Sequence, residues 1–469
     1  MEAKTRRISV SCCAKTHPCP TCGKRGRRKD VFTRDVRSIA FHEIVILEIT
    51  YGEYRAMCDC CKTFRSSPPG VDPRCLYDNR VRDAVLDRLI EDGLSIPKIQ
   101  TAMRRDFLLD LSEGFVYDCI ERRVAELDSA DYRRWTLEKF SGTLCIDELH
   151  LGRHALLLAT DPIGDFPVAF ALVDSNDAEH MRRFLANLKR HGFEPRVVVT
   201  DGSPLYPKLL AELWPQAEHQ LCVFHVLQDI NAQVLDAVKR MRREQKRCGQ
   251  RGRKRGRGRP KKSARKRRTP TLKEKANFVF KHRHLIVTKD ENLSDSQRAD
   301  LRTMFQYLPA LRTLRSFVEK VNRLFEADQS LHQAHCRRAA LLNNTAYTAI
   351  PELAKAMKML DGDKFDKMIA FLRTSPAAPA GASTRKEAKS QTGRQRPPVI
   401  RTNNHVERTN RKLRFFEKSR YKWRRRRSIV RFVLLAFDHW RKTQSTTADS
   451  PPNRSSINAT HSQLNRQAA

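Results

Sequence analysis

The chain has 469 residues, enough for about three domains at roughly 150 residues each, and carries 91 Lys+Arg against 53 Asp+Glu, a formal net charge of +38. That balance points away from a small acidic substrate and toward a polyanion, most simply nucleic acid. A hydrophobic content of 40% excludes a wholly disordered basic chain, and no apolar run approaches the ~18–20 residues of a membrane span. The first thirty residues hold no apolar signal-peptide core. A soluble, intracellular protein follows as the expectation, with its 13 cysteines in a reducing compartment and better suited to metal than to disulfides.

Residues 1–70 contain the pairs Cys19-Pro-Thr-Cys22 and Cys58-Asp-Cys-Cys61, separated by 35 residues. The intervening VRSIAFHEIVILEITYGEYR is β-branched and alternating, and reads as strands broken at Tyr51-Gly52. Two thiolate knuckles brought together by strand pairing can place Cys19, Cys22, Cys58 and Cys61 around a structural Zn²⁺. Cys60 is an alternative extra ligand, and Cys12 and Cys13 could compete with Cys19. Free cysteines in a small basic domain are the plainer alternative. The turn-rich SSPPGVDPR at 66–74 closes this unit.

Residues 75–135 show three helical stretches. NRVRDAVLDRLIEDG places Val81, Val85, Leu86, Leu89 and Ile90 on one face and stops at Gly93. Ser95 then caps IPKIQTAMRRDF, with Pro97 in its first turn. Ser112 caps SEGFVYDCIERRVAEL. A helix, a glycine turn and a second helix bearing Lys98, Arg104 and Arg105 form an arrangement able to enter a major groove, although any three-helix bundle shares it.

The stretch 140–238 is the most legible. TLCIDELHLG, HALLLATD and FPVAFALVD are apolar runs with hairpin-scale connections; an amphipathic helix with Met181, Phe184, Leu185 and Leu188 inward follows. RVVVTDG, SPLYPKLLAELWP and EHQLCVFHVLQDI then read as strand, helix, and strand running into helix. Three strands, helix, strand, helix, strand, helix is the order of an RNase H-like mixed α/β fold. Asp147 lies in the apolar first strand, where an ionised carboxylate is costly unless paired or metal-bound. Asp201 ends the VVVT strand. The third acid must come from a helix beside the first strand, and Glu407 in RTNNHVERTNRKLRFF meets that need. Three such carboxylates can hold two Mg²⁺ ions for phosphoryl transfer. Singly, each acid also has a plain structural role open to it.

Charge is concentrated in two places. Residues 239–268 hold 18 Lys and Arg against Glu244 alone, and 408–431 hold 12 against Glu417 alone. We therefore expect a basic disordered arm at 239–270, and phosphate contact from Arg424, Arg425, Arg426 and Arg427. Between the two clusters, 271–373 reads as an all-helical insertion and 374–400 as a Pro/Ala/Ser linker. Residues 401–442 complete the catalytic domain, and 443–469 form a polar, disordered tail. Trp214 and Trp423 read as core or interface groups.

With these residues in place, the chain resembles DDE transposases of bacterial insertion sequences, most closely the ISL-three group. The resemblance rests on Cys145-Ile-Asp147-Glu148, Thr200-Asp201-Gly202 and Asn404-His-Val-Glu407-Arg-Thr-Asn410. Cys222-Val-Phe-His225 is similar to the C-x-x-H signature of Mutator-like and hAT transposases, which implies a place beside the active site for Cys222 and His225, with a buried Cys-His pair that binds no zinc as the plainer alternative; Asn404, from the Glu407 motif, is expected there too. The resemblance implies a zinc ribbon, a helix-turn-helix and an RNase H-like domain with a long helical insertion. It further implies Asp147, Asp201 and Glu407 as catalytic Mg²⁺ ligands, terminal inverted repeats and target DNA as partners, a homodimer or larger assembly on DNA, no membrane association, and a bacterial cytoplasmic, nucleoid-associated location. In such families the insertion helps cover the active site and contacts the DNA ends. A non-catalytic DNA-binding relic and an RNase H-like nuclease that cuts without joining are the alternatives.

Overall fold

The computed structural model describes residues 4–72, 74–251, 270–374, 400–419 and 425–448. It is a mixed α/β protein with two mixed five-stranded sheets and many helices.

The N-terminal sheet contains β1 (Lys4–Cys12), β2 (Thr16–Pro18), β3 (Arg25–Ala40), β4 (Glu43–Arg55) and β5 (Thr63–Arg65). β4 is central: β1 pairs with it in parallel, and β3 and β5 pair with it antiparallel. The expected break at Tyr51-Gly52 is absent, because β4 runs through both residues in register with β3. The chain instead reverses at Phe41-His42, where His42 takes a positive φ of 56°. Gly52 is there for a packing reason. A Cβ at this position would meet the Tyr54 ring at 2.7–2.8 Å, closer than a side chain tolerates.

Four helices follow: α1 (Asn79–Ile90), α2 (Ile96–Phe107), α3 (Glu113–Glu126) and α4 (Ser129–Lys139). Asp78 caps α1 by accepting from the Val81 amide, and Ser112 caps α3 from the Phe115 amide. Ser95 stands at the start of α2 in extended backbone without a side-chain cap bond. Sequence periodicity shows the first three helices but not α4, whose burial is confined to Thr136 and leaves no apolar stripe to read.

The central sheet is built from β6 (Thr143–Leu151), β7 (His154–Asp161), β8 (Phe166–Val173), β9 (Val197–Thr200) and β10 (Glu218–Leu221), in the order β10-β9-β6-β7-β8. β6, β7 and β8 form an antiparallel meander, while β9 and β10 run parallel to β6. α5 (Ala178–Arg190), α6 (Tyr206–Leu213) and α7 (Val223–Arg251) connect and follow the later strands.

β6 sorts its side chains by strand alternation. Leu144 and Ile146 join a core with Met181, Phe184, Leu185, Tyr206 and Trp214. Cys145, Leu149 and Leu151 face the other way, into a core shared with Val81, Ile99 and Ile120 of the α1–α3 helices and with the last two helices of the chain. The α1–α3 helices are thus packed into the same body as the sheet. Ion pairs from Arg123 to Asp438 at 2.7 Å and from Arg431 to Glu121 at 2.7 Å reinforce that union.

α7 continues past residue 238 to Arg251, so the first part of the expected basic arm is helical. Its charges are used in packing. Arg240 pairs with Glu352 and Glu244, and Arg242 lies over the Phe280 ring. Residues 252–269 lie outside the described residues, as does most of the expected linker and tail.

Eight helices form the insertion: α8 (Leu272–Lys281), α9 (Asp295–Tyr307), α10 (Leu311–Arg323), α11 (Leu331–Leu342), α12 (Thr345–Thr348), α13 (Pro351–Lys358), α14 (Gly362–Met368) and α15 (Phe371–Thr374). They share an apolar core with Val226, Ile230, Val234 and Val238 of α7. The chain then returns to the sheet through α16 (Asn404–Ser419) and α17 (Arg426–Ala448).

Candidate active site

Parallel pairing of β6 with β9 aligns Thr143 with Val197, Leu144 with Val198 and Cys145 with Val199. Extending that register brings Asp147 opposite Asp201, the first residue beyond β9. Asp201 is close enough for its charge to help raise the Asp147 carboxyl. Apolar residues precede each of them; Asp147 lies midway along β6, level with the point where β9 ends and Asp201 follows, and this is the edge where the acids meet.

The surroundings of Asp147 are unusual for an acid. Burial, with the nearby charges of Glu148 and Asp201, drives its carboxyl up to about 7, against hydrogen bonds from the Glu148 backbone and Asn410. Asn410 Nδ2 donates to Asp147 Oδ2 at 2.9 Å. Asp201 Oδ1 accepts from the Ser203 amide at 2.9 Å. Glu148 turns to the opposite face, where Asn176 Nδ2 and Tyr206 Oη donate to it at 2.8 and 3.0 Å.

α16 lies across this edge. Asn403, Glu407 and Asn410 recur at helical spacing on one face. Asn403 Nδ2 donates to the Ile146 carbonyl at 3.0 Å, and its amide donates to Cys222 Sγ at 3.2 Å. Buried Val406 and Leu413 hold the helix against the sheet. The position expected of Asn404 belongs to Asn403: Asn404 is exposed, while Asn403 is fully buried. Asn410 was part of the sequence motif without a role of its own. Its spacing of three from Glu407 is the signal that identifies it.

Glu407 is not in a tight triangle with the two aspartates. Its carboxylate lies 3.6 Å from His225 Nε2, and its ligand atom, that of His225 and Cys222 Sγ all lie within 4.8 Å of one another. The Cys222 thiol, together with the charges of Glu407 and Asp147, raises the His225 pKa to about 9 despite partial burial. Cys222, His225, Glu407 and Asp147 are thereby joined in one electrostatic neighbourhood.

At the other end of the chain, Sγ atoms of Cys19, Cys58, Cys60 and Cys61 lie within 4.8 Å of one another. Cys60 is also 3.4 Å from Cys22. Five cysteines therefore converge, with Cys60 inside the group. Cys12 and Cys13 point elsewhere, Cys12 to the Thr50 carbonyl and Cys13 to the Ser11 hydroxyl. Backbone amides of Thr21 and Cys22 pull the Cys19 pKa down to about 6, while the neighbouring Cys19 sulfur pushes Cys61 up to about 11. The Cys58 thiol is lowered as well, chiefly by its hydrogen bond with Cys60, and crowded thiols of which some ionise readily suit a metal held by thiolates.

Beside these cysteines is a cleft of about 910 Å³ lined by Arg27, Arg28, Lys29, Arg55 and Lys62, with Asp59 the one acid among its lining residues. Elsewhere the expected DNA contacts divide. Lys98 is exposed, but Arg104 pairs with Asp110 and Arg105 with Asp106. Arg425 is exposed, Arg426 meets Asp174, and Arg427 lies 3.9 Å from Glu121. Arg424 and Trp423 lie outside the described residues. Trp214 is a core group, buried and donating to the Phe193 carbonyl at 3.1 Å. Among the described residues, no helix is long and apolar enough to cross a membrane.

No curated protein matches the chain. Among solved structures, it is similar to the Drosophila P element transposase strand transfer complex, at 12% identity and a TM-score of 0.25, over 78% of this chain and 79% of that one. The family model DDE_Tnp_ISL3, described as Transposase, matches residues 144–379, a span that includes Asp147, Asp201, Cys222 and His225 and ends before Glu407. That span is half of the sequence, and the chain belongs to this transposase family.

Proposed function

We propose that this transposase binds the terminal inverted repeats of its own element and carries out DNA strand cleavage and strand transfer, with Asp147, Asp201 and Glu407 as its DDE carboxylates. The observation that carries the reading is Asp147 on β6 beside Asp201, which follows the neighbouring parallel strand β9, under a helix whose Asn410 donates to Asp147. The strand order β10-β9-β6-β7-β8, antiparallel on one side of β6 and parallel on the other, supports an RNase H-like catalytic domain.

The residues suit divalent magnesium. The donors are hard carboxylate oxygens, and Asp147 is a buried acid beside a second acid, a pairing that a cation relieves. Asp147, Asp201 and Glu407 would hold the ions. Bound Mg²⁺ supplies a lowered pKa for attacking water and charge neutralisation at the scissile phosphate. The protein's own contribution is positional. Asn410 fixes one oxygen of Asp147, the Ser203 amide fixes one oxygen of Asp201, and Asn403 ties the start of α16 to β6. Strand cleavage leaving a 3′-OH, followed by in-line attack of that hydroxyl on target DNA, is the reaction such a site serves.

For DNA capture, the basic cleft beside the cysteines supports phosphate contact, with Zn²⁺ held by the converging thiolates as a structural element. The α1–α3 helices, with Lys98 exposed, support a helix-turn-helix role, and assembly on DNA as a dimer or larger oligomer completes the reading.

The test is cleavage of a duplex carrying the element's own ends, with Mg²⁺ or with none. Asp147→Asn and Asp201→Asn should each bind the duplex as wild type does and lower cleavage by roughly three orders of magnitude or more, a loss of several kcal/mol in transition-state stabilisation. Binding without cleavage by wild type would indicate a DNA-binding relic. Cleavage without joining would indicate a nuclease.

A further inference from the structure

We propose a second metal site, selective for Zn²⁺ or a similar transition ion, formed by Cys222, His225 and Glu407. Cys222 and His225 stand three residues apart at the junction of β10 and α7, a spacing that puts both on one face, and Glu407 approaches from α16. Their sulfur, ring nitrogen and carboxylate oxygen converge within 4.8 Å of one another. Thiolate, imidazole and carboxylate together form a borderline-soft, three-ligand set of the kind that holds zinc with a fourth position open, and one that Mg²⁺ does not favour.

Two further observations point to a ligand rather than to simple packing. Oε1 of Glu407 is buried with no hydrogen-bond partner among the described residues, and it lies 3.6 Å from the His225 ring, longer than a hydrogen bond. The Asn403 amide donates to Cys222 Sγ at 3.2 Å, an interaction that fixes the direction of the sulfur. Asn403 is itself anchored to the Ile146 carbonyl, so the site is braced by β6.

The site also has a consequence, which rests on the reading of Glu407 as the third catalytic acid. One carboxylate then serves two metal environments. Zinc at Cys222 and His225 holds Glu407 away from Asp147 and Asp201, and magnesium at the aspartates draws it back. A transition ion thereby acts as an inhibitor that competes for a catalytic side chain.

The experiment is zinc content and Co²⁺ titration of the full chain, comparing wild type with Cys222→Ser, His225→Ala and Glu407→Gln. The N-terminal cysteines contribute equally in all four proteins, so differences report this site, and circular dichroism checks that each variant folds. Cys222→Ser and His225→Ala should each bind one fewer zinc per chain, with loss of part of the thiolate-to-cobalt charge-transfer absorption in Cys222→Ser. Glu407→Gln should weaken the same site at least tenfold. Wild-type zinc content in folded Cys222→Ser or His225→Ala overturns the site, and wild-type affinity in Glu407→Gln removes Glu407 from it. Because bound metal is the readout, this result stands apart from the catalytic reading. Added Zn²⁺ should then suppress DNA cleavage by wild type, with excess Mg²⁺ restoring it; zinc that binds here and leaves cleavage unchanged overturns the competition alone.

Discussion

His219 on β10 shows how a single side chain links the sheet edge to solution conditions. Its Nε2 lies 2.8 Å from the Thr200 hydroxyl, which itself donates to the Asp201 carbonyl at 2.9 Å. The ring nitrogen is therefore the donor, and the imidazole is neutral with its other nitrogen buried. Burial, with Lys367 nearby, lowers its pKa to about 4. A histidine depressed in the folded state binds its proton more readily when unfolded, so its contribution is complete above about pH 6.5 and is lost as pH falls toward 4. Up to about 3 kcal/mol of stability should disappear across that window, given about 1.4 kcal/mol per pKa unit. Urea unfolding of wild type and His219→Gln between pH 7 and 4 checks this: the variant should show a flatter slope, and an equal slope would remove His219 as the cause. At this scale the acids were legible, because Asp147 interrupts an apolar strand and Asp201 ends one. Asn403 and Asn410 stand out less, since a neutral amide gives little contrast among polar neighbours, and for Asn410 the one signal is its spacing from Glu407.

Elements were readable where periodicity was strong. The strands from β6 to β10, and the helices between them, follow from apolar runs and an amphipathic stripe containing Met181, Phe184, Leu185 and Leu188. Readings failed where tertiary contacts overrode local signals. Gly52 resembled a turn residue, yet it serves the Tyr54 ring inside a continuous strand. The basic run after residue 238 resembled a coil, yet ion pairs with Glu352 and Glu244 carry α7 on to Arg251. The N-terminal sheet presents a different case. Its buried apolar clusters are small, one of Cys19, Tyr54 and Phe64 and another of Val36, Ile49 and Val71. Cores of that size need a staple, and the converging cysteines are the natural one. With zinc held by these cysteines as proposed, a chelator should raise amide exchange in β2–β5 well above that in β6–β10, measured by hydrogen exchange with mass spectrometry. Equal protection in both sheets would make the cysteines dispensable to the fold.

Over the whole molecule, the excess of positive charge is divided between packing and display. Arg104, Arg105, Arg240 and Arg426 are engaged with carboxylates, whereas Arg27, Arg28, Arg55 and Lys62 line an open cleft. Composition announced a polyanion partner but could not separate these two uses, because pairing depends on residues distant in sequence. Replacing the four cleft residues with alanine should weaken DNA binding uniformly across sequences. It should also reduce the salt slope by about 0.9 for each phosphate that the protein no longer neutralises. An unchanged slope would place the phosphate-binding surface elsewhere.

If α16 supplies the carboxylate that joins Asp147 and Asp201 in catalysis, Glu407 is the residue to change, since in this structure it faces His225. The measurement is joining of pre-cut element ends to target DNA in Mg²⁺, by wild type and Glu407→Gln at matched DNA occupancy. Wild type should give joined product, and Glu407→Gln none above background. Joining that survives in Glu407→Gln would remove Glu407 from catalysis and leave Asp147 and Asp201 in need of a different third acid.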